Sequence, residues 1–303
     1  MLRRRSRAGG RALGMCVAFR SDMAEQAAAP SPGATSQRTP RQNVRALFLR
    51  IAETCDLPPL PAVAVRAMSL AHDPDATAGD LTRVVATDAA LAARVLKISC
   101  SVAYLRRQPP RTLQEAIVTV GFQALRKILI AASARAAYGA HDAAAEALWR
   151  HALATALAAD ELAVENGERR GGDAFITGLL HDVGKLVFHL ADPAAFARLG
   201  YADEATETEV CGATHAAVGG CLAEKWGLES EVVEAVMFHH AGDAEGLARR
   251  IATADRIARQ IGFGSVAGEV VPEPDAEADP RLDLAAVGAR VMKSFERERT
   301  LFE

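Results

Sequence analysis

Apolar residues recur along most of the chain at the three- and four-residue steps of an amphipathic helix, and no long stretch alternates with period two. Val44, Leu47, Phe48 and Ile51 open the pattern, which breaks at Leu57-Pro58-Pro59-Leu60-Pro61. A helix through Val63, Val65, Met68 and Leu70 ends at Asp73-Pro74, because the residue before proline is pushed out of the α region. Thr77 caps the next helix, and Asp88 caps one carrying Leu91, Val95, Leu96 and Ile98. Thr112 and Glu115 then form an S/T-x-x-E capping box ahead of Ile117, Val120, Leu125, Ile128 and Leu129. A second block of longer helices is expected at about 143–166, 172–190, 207–226, 229–240 and 244–261, with breaks at Gly167, Gly171-Gly172, Asp192-Pro193, Gly227 and Gly242.

The fold class that follows is all-α, a two-lobed helical bundle. The N-terminal helical lobe takes residues 43–140 and the second lobe 141–264. Residues 265–303 hold a Gly-, Pro-, Asp- and Glu-rich linker followed by a charged C-terminal helix.

Composition narrows the classes. Half of the 303 residues are hydrophobic but only 5% are aromatic, and alanine is abundant, which excludes a β-sandwich, a collagen or a disordered protein. The apolar runs fall short of the ~18–20 residues of a membrane span, so none is expected. Five cysteines without a C-x-x-C pair suit a reducing compartment and a cytoplasmic location. The net charge of −3 hides an asymmetry: residues 1–50 hold ten Arg against Asp22 and Glu25, while the rest has 25 basic and 36 acidic residues. Residues 1–42 read as a disordered basic leader, and the acidic body argues against nucleic acid as a partner.

The chemistry concentrates in the second lobe, which holds seven of the eight histidines: His141, His151, His181, His189, His215, His239 and His240. His181-Asp182 sits inside Gly178-Leu179-Leu180-His181-Asp182-Val183-Gly184-Lys185, and His239-His240 ends an apolar helix. Such groups are costly to bury without a partner, and a metal ion is one. With His151, His215 and Asp255 on neighbouring helices, the set has the form of a bundle-core metal site for one or two Fe, Mn or Zn ions. Lys185, four residues after His181, shares its expected helix face and is placed to meet a substrate phosphate, with Asp182 beside it in any hydrolytic chemistry. His141 and His189 read as solvated or hydrogen-bonded rings.

These motifs resemble the HD superfamily of metal-dependent phosphohydrolases, named for the pair seen here as His181-Asp182, and within it the HDOD domain, an output domain of bacterial signalling proteins. The resemblance covers roughly residues 50–260. It is carried by Leu57-Pro58-Pro59-Leu60-Pro61, Asp73-Pro74-Asp75, Thr87-Asp88-Ala89-Ala90-Leu91, Ser99-Cys100-Ser101, Glu115-Ala116-Ile117, Trp149-Arg150-His151, the His181-Asp182 segment, Thr214-His215, Lys225-Trp226-Gly227-Leu228 and His239-His240. It implies an HD-like second lobe and a regulatory output acting through protein–protein contacts with signalling proteins. His151, His181, Asp182, His215, His239, His240 and Asp255 are similar to the di-metal ligands of the HD-GYP phosphodiesterases, so the alternative is a phosphohydrolase acting on a nucleotide or cyclic dinucleotide. Cys100 stands where the family has Asn, the Gly-Tyr-Pro segment is absent after His240, and Ala147 replaces the acid of a third metal site.

Overall fold

The computed structural model describes residues 75–100, 109–139, 142–168, 172–200, 202–266 and 283–302, together with Val63, Arg66 and Leu70. The basic leader 1–42, the helix expected from Val44, the prolines at 57–61, His141 and the linker from residue 267 lie outside the described residues. Among the described residues there are helices and no strand.

The first lobe contains α1 (Ala78–Val85), α2 (Ala89–Ser99) and α3 (Leu113–Val120), followed by α4 (Phe122–Tyr138). Each of the first three begins where a polar side chain takes an orphan amide. Thr77 and Asp80 form the reciprocal capping box of α1, and Asp88 Oδ1 accepts from Leu91 N at 3.0 Å. Thr112 accepts from Glu115 N at 3.1 Å, but the Glu115 carboxylate reaches back one residue further than expected, to Arg111 N. Gly121, at φ +82°, supplies the left-handed backbone that lets α4 leave α3. Leu81, Val85, Leu91, Val95, Ile98, Ile117, Leu125 and Leu129 fill a first core.

The second lobe is built around α5 (Ala143–Glu165), which is buried on nearly every side from Ala145 to Ala163. A helix apolar all round has to be a central one. Its alanines at 152, 154, 156, 158 and 159 keep its girth small, so that α6 (Asp173–Leu180), α12 (Gly246–Gln260) and α13 (Leu284–Phe302) pack around it. Between them run α7 (Val183–Ala191), α8 (Pro193–Leu199), α9 (Glu204–Cys211), α10 (His215–Lys225) and α11 (Ser230–Phe238). α4 serves both lobes: Leu125 and Leu129 belong to the first core, Ile130, Ala134 and Tyr138 to the second. The C-terminal helix also joins the second core, through Val287, Val291 and Phe295.

Two expected helices are each two. The stretch read as 172–190 breaks at His181-Asp182, and that read as 207–226 breaks between Cys211 and His215. The first break is made by Asp182, whose backbone leaves the helical region at φ −99°, ψ 12°. The second uses Gly212 at φ +86° and a fresh cap from Thr214. Contrary to the sequence expectation, Asp173–Ala191 is long and apolar enough to cross a membrane by length and hydropathy, because its few polar residues are spread through a core segment. In the fold 89% of that segment is buried inside the protein.

Candidate metal centre

The break between α6 and α7 aims His181 and Asp182 at the centre of the second lobe, and two glycines allow it. A Cβ on Gly178 would lie 2.8 Å from Ala156 Cα, so α6 meets α5 backbone to backbone. A Cβ on Gly184 would lie 2.0 Å from the His215 carbonyl oxygen, so α7 lies directly against the start of α10. The Gly-x-x-His-Asp-x-Gly pattern is therefore a packing device as well as the source of two candidate ligands.

His151 comes from α5, His215 from the first residue of α10, His239 and His240 from just past α11, and Asp255 from α12. With His181 and Asp182 they fall into two adjoining groups, His151, His181 and Asp255 in one and Asp182, His215, His239 and His240 in the other. Within each group the candidate ligand atoms all lie within 4.8 Å of one another. Asp182 joins them. Its Oδ2 is 3.3 Å from His151 Nε2 and 3.5 Å from His181 Nε2, while its Oδ1 is 3.2 Å from His215 Nε2 and 3.8 Å from His239 Nε2. One carboxylate thus presents one oxygen to each group. All of these side chains are buried except His240, which forms the exposed edge.

The orientation of the rings is decided by what each Nδ1 touches. His151 Nδ1 is 2.7 Å from Phe263 O, His181 Nδ1 2.7 Å from Gly178 O and His239 Nδ1 2.7 Å from Val236 O. A carbonyl oxygen only accepts, so these Nδ1 atoms carry the hydrogen, and in the neutral ring Nε2 is a bare lone pair. His215 Nδ1 donates to Glu207, 2.7 Å away, whose carboxylate also accepts from His215 N. The Nε2 atoms then face each other: His151 and His181 Nε2 are 3.3 Å apart, His215 and His239 Nε2 3.4 Å, and His215 and His240 Nε2 3.1 Å. Converging lone pairs repel unless a cation lies among them. Asp182 Oδ1, buried, faces the same point. Imidazole nitrogens and carboxylates are the donor set of Fe, Mn or Zn, and the outward Nδ1 bonds are the usual orienting shell of metal-bound histidine. The residues present fit a metal pair.

Electrostatics favours the charged form of one ring in each group. Burial disfavours charge on His151, yet its hydrogen bonds to Asp182 and Asp255 raise its pKa to about 9. Burial and Lys185 oppose charge on His215, and Asp182 with Glu207 nonetheless raises it. Burial lowers His181 to about 4 and His240 to about 3, and holds His239 well below its usual range. Asp182 is kept ionised against burial by His181 and Lys185. In the metal-free protein a proton on His151 therefore stands where a cation is called for.

Lys185 is placed differently from its sequence reading. The helix breaks between it and His181, and its Nζ is bound at 2.8 Å to Asp182 Oδ2 and at 3.3 Å to Ser265 Oγ. Asp255 is gripped by Arg259 one turn on, through Nε at 3.0 Å and through Nη2, which leaves its Oδ1 3.2 Å from His151 Nε2. His189 is a buried ring paired with Asp142 at 2.9 Å, away from the centre. Sequence reasoning missed Glu207, the Phe263 carbonyl and Ser265. Only Glu207 left a trace, as an acid on an expected helix eight residues before His215.

A sequence match to the HDOD domain family spans residues 57–242. The chain belongs to the HDOD family. Asp255, Phe263 and α13 lie beyond the matched stretch. An uncharacterized protein of Treponema pallidum (strain Nichols) is 28% identical over 193 residues, covering 61% of this chain and 38% of its own length. A Marinobacter aquaeolei VT8 structure, of a protein named for signal transduction, superposes with TM-score 0.63 at 23% identity, over 87% of this chain and 64% of that one. A Shewanella amazonensis SB2B structure, named as a phosphohydrolase, gives 0.61 at 24% identity over 85% and 98%. This chain thus spans well under half of its Treponema relative and somewhat under two thirds of the Marinobacter chain; the structural likenesses establish the fold.

Proposed function

We propose that the chain is a bacterial signal-transduction module of the HDOD type that holds a pair of divalent metal ions in its second lobe. The observation that carries this reading is the locked set of imidazoles, whose Nε2 lone pairs converge on the two oxygens of one buried carboxylate. His151, His181 and Asp255 would hold one ion, His215, His239 and His240 the other, with Asp182 shared. Signalling proteins are the partners this reading implies, and the cytoplasm its location.

A second reading, a metal-dependent phosphohydrolase, is favoured by access. His240, at the exposed edge, lines two cavities that open beside the centre. Bound divalent ions supply Lewis-acid polarisation of a phosphoryl oxygen and a more acidic water. The chain's own residues would do the rest: Lys185 holds the bridging carboxylate ionised, Arg259 fixes Asp255, and Glu207 fixes the His215 ring.

Protein purified anaerobically should carry about one or two equivalents of Fe, Mn or Zn by elemental analysis, and His181→Ala with Asp182→Ala should remove them. Folded wild-type protein that takes up no metal would sink both readings. If metal is bound, turnover of phosphoesters or cyclic dinucleotides that is lost in His181→Ala selects the hydrolase, and the lack of any turnover selects the module.

A further inference from the structure

We infer that the C-terminal helix α13 sets the geometry of the metal centre through the turn that follows α12, although it supplies no ligand. The inference rests on the metal-centre reading for what is positioned and on separate contacts for how.

Two of the bonds that arrange the centre come from one short turn. The Phe263 carbonyl orients His151 Nδ1, 2.7 Å away. Ser265 Oγ lies 3.3 Å from Lys185 Nζ, which is bound in turn to Asp182 Oδ2. The start of the turn is fixed locally. Gly262, at φ +91°, donates its N–H to Arg259 O at 3.0 Å, and Phe263 N donates to Ala258 O at 2.9 Å, the paired bonds of a Schellman cap. That cap settles where the backbone leaves α12. It does not settle how Phe263 to Ser265 lie against α5 and α7.

α13 supplies that second constraint. The Phe295 ring centroid lies 4.2 Å from that of Phe263, and both rings are buried. Arg150, the exposed residue before His151 on α5, stands over both rings, 5.3 Å from the Phe263 centroid and 5.9 Å from that of Phe295. A Cβ on Gly288 would lie 3.0 Å from Ile261 Cγ2, so α13 also comes close to the turn at a point seven residues before Phe295. Gly288, Val291 and Phe295 follow the three- and four-residue steps of one helix face.

Ion pairs hold that face in place. Arg290 Nε is 3.1 Å from Glu161 Oε2 and Arg290 Nη2 pairs with Glu165, both on α5. Glu298 Oε2 is 3.0 Å from Lys127 Nζ on α4, which also stands 3.6 Å from Asp160 on α5. Lys127 and Glu298 are largely buried, so salt screens their pairing less than it screens a surface pair. α13 is thereby fixed to the helix that carries His151, with the Phe263 turn pressed between α13 and that ring.

The test measures Zn²⁺ affinity of the full chain by competition against a chelator. In the zinc-free protein it also follows the proton resonance of His151 Nδ1–H, assigned by its loss in His151→Gln. Phe295→Ala should lower Zn²⁺ affinity about tenfold, the lower end of the range for partners of metal-bound histidine, and should move the His151 resonance. Phe295→Leu, which keeps most of the apolar bulk, should recover most of the affinity. Leu81→Ala loosens the first core, away from the turn, and should leave both readings as in the wild type. Arg150→Gln, at an exposed position, should move the same resonance and serves if Phe295→Ala does not fold. Unchanged Zn²⁺ affinity or an unmoved resonance in Phe295→Ala, or equal losses in Leu81→Ala, would overturn the inference. Wild-type protein that takes up no Zn²⁺ would instead count against the metal centre, and the His151 resonance would still decide whether α13 positions the ring.

Discussion

Gly184→Ala puts the packing argument to its hardest test. The added Cβ would sit 2.0 Å from the His215 carbonyl oxygen, 2.7 Å from its carbonyl carbon and 2.8 Å from its Cα. All three are backbone atoms, so no rotamer change relieves the contact. Comfortable separation of such atoms is about 3.5 Å, so α7 must retreat from α10 by more than about 1 Å. Asp182 and His215 stand on opposite sides of that contact, with Oδ1 and Nε2 now 3.2 Å apart. Metal–ligand distances tolerate about 0.2 Å, so the group containing His215 should lose roughly 10- to 100-fold in metal affinity. Overpacking adds a stability loss of about 1–3 kcal/mol. The assay is Zn²⁺ or Mn²⁺ competition against a chelator, with urea denaturation of the metal-free protein alongside. Gly79→Ala is the control: its nearest neighbour would be Thr77 Oγ1 at 3.5 Å, an ordinary contact within α1, so it should leave metal affinity alone and gain up to about 1 kcal/mol. A Gly184→Ala protein with wild-type metal affinity and wild-type stability would show that α7 and α10 are not held at the spacing described, and the argument from the motif's glycines would fail.

Other outcomes follow from the same geometry. Glu207→Gln keeps the size of the side chain but weakens the acceptor for His215 Nδ1, and metal affinity should fall about 10-fold or more in the same competition assay; unchanged affinity would remove Glu207 from the site. Metal has to displace the proton of His151, whose pKa is about 9, so affinity should rise with pH by about tenfold per unit below 9 and flatten above it. Calorimetry at pH 6.5, 7.5 and 8.5 measures the slope, and a flat profile would contradict the proton assigned to that half. Phe295→Ala removes a buried ring whose centroid lies 4.2 Å from that of Phe263, tilted by 38°, and the Phe263 carbonyl orients His151. It should cost about 3–5 kcal/mol in denaturation, and a loss under 1 kcal/mol would mean that α13 does not hold the second core.

What was legible in the sequence, and what was not, divides along one physical line. Caps are local chemistry, so Thr77, Asp88 and Thr112 announced the starts of α1, α2 and α3 from three residues of context. The seven candidate site residues were readable from residue type and family motif, and the structure brings their side chains together. The breaks at Asp182 and Gly212 were hidden because hydrophobic period runs straight across them: Leu179, Leu180, Val183 and Leu186 are all buried, whichever way the backbone turns between them. The consequence was a continuous helix drawn from His181 to Lys185, where the chain breaks and Lys185 pairs with Asp182 and Ser265. Glu207 and the Phe263 carbonyl were invisible for a different reason, since a hydrogen bond between separate elements leaves no periodic trace. Yet these partners decide the chemistry. A list of histidines is equally compatible with rings that hydrogen-bond one another and need no ion. Phe263, Gly178, Val236 and Glu207 occupy Nδ1 of His151, His181, His239 and His215, and that is what turns all four Nε2 atoms toward the Asp182 carboxylate. The case for metal therefore lies in the residues around the ligands, and Glu207→Gln tests it without touching a ligand.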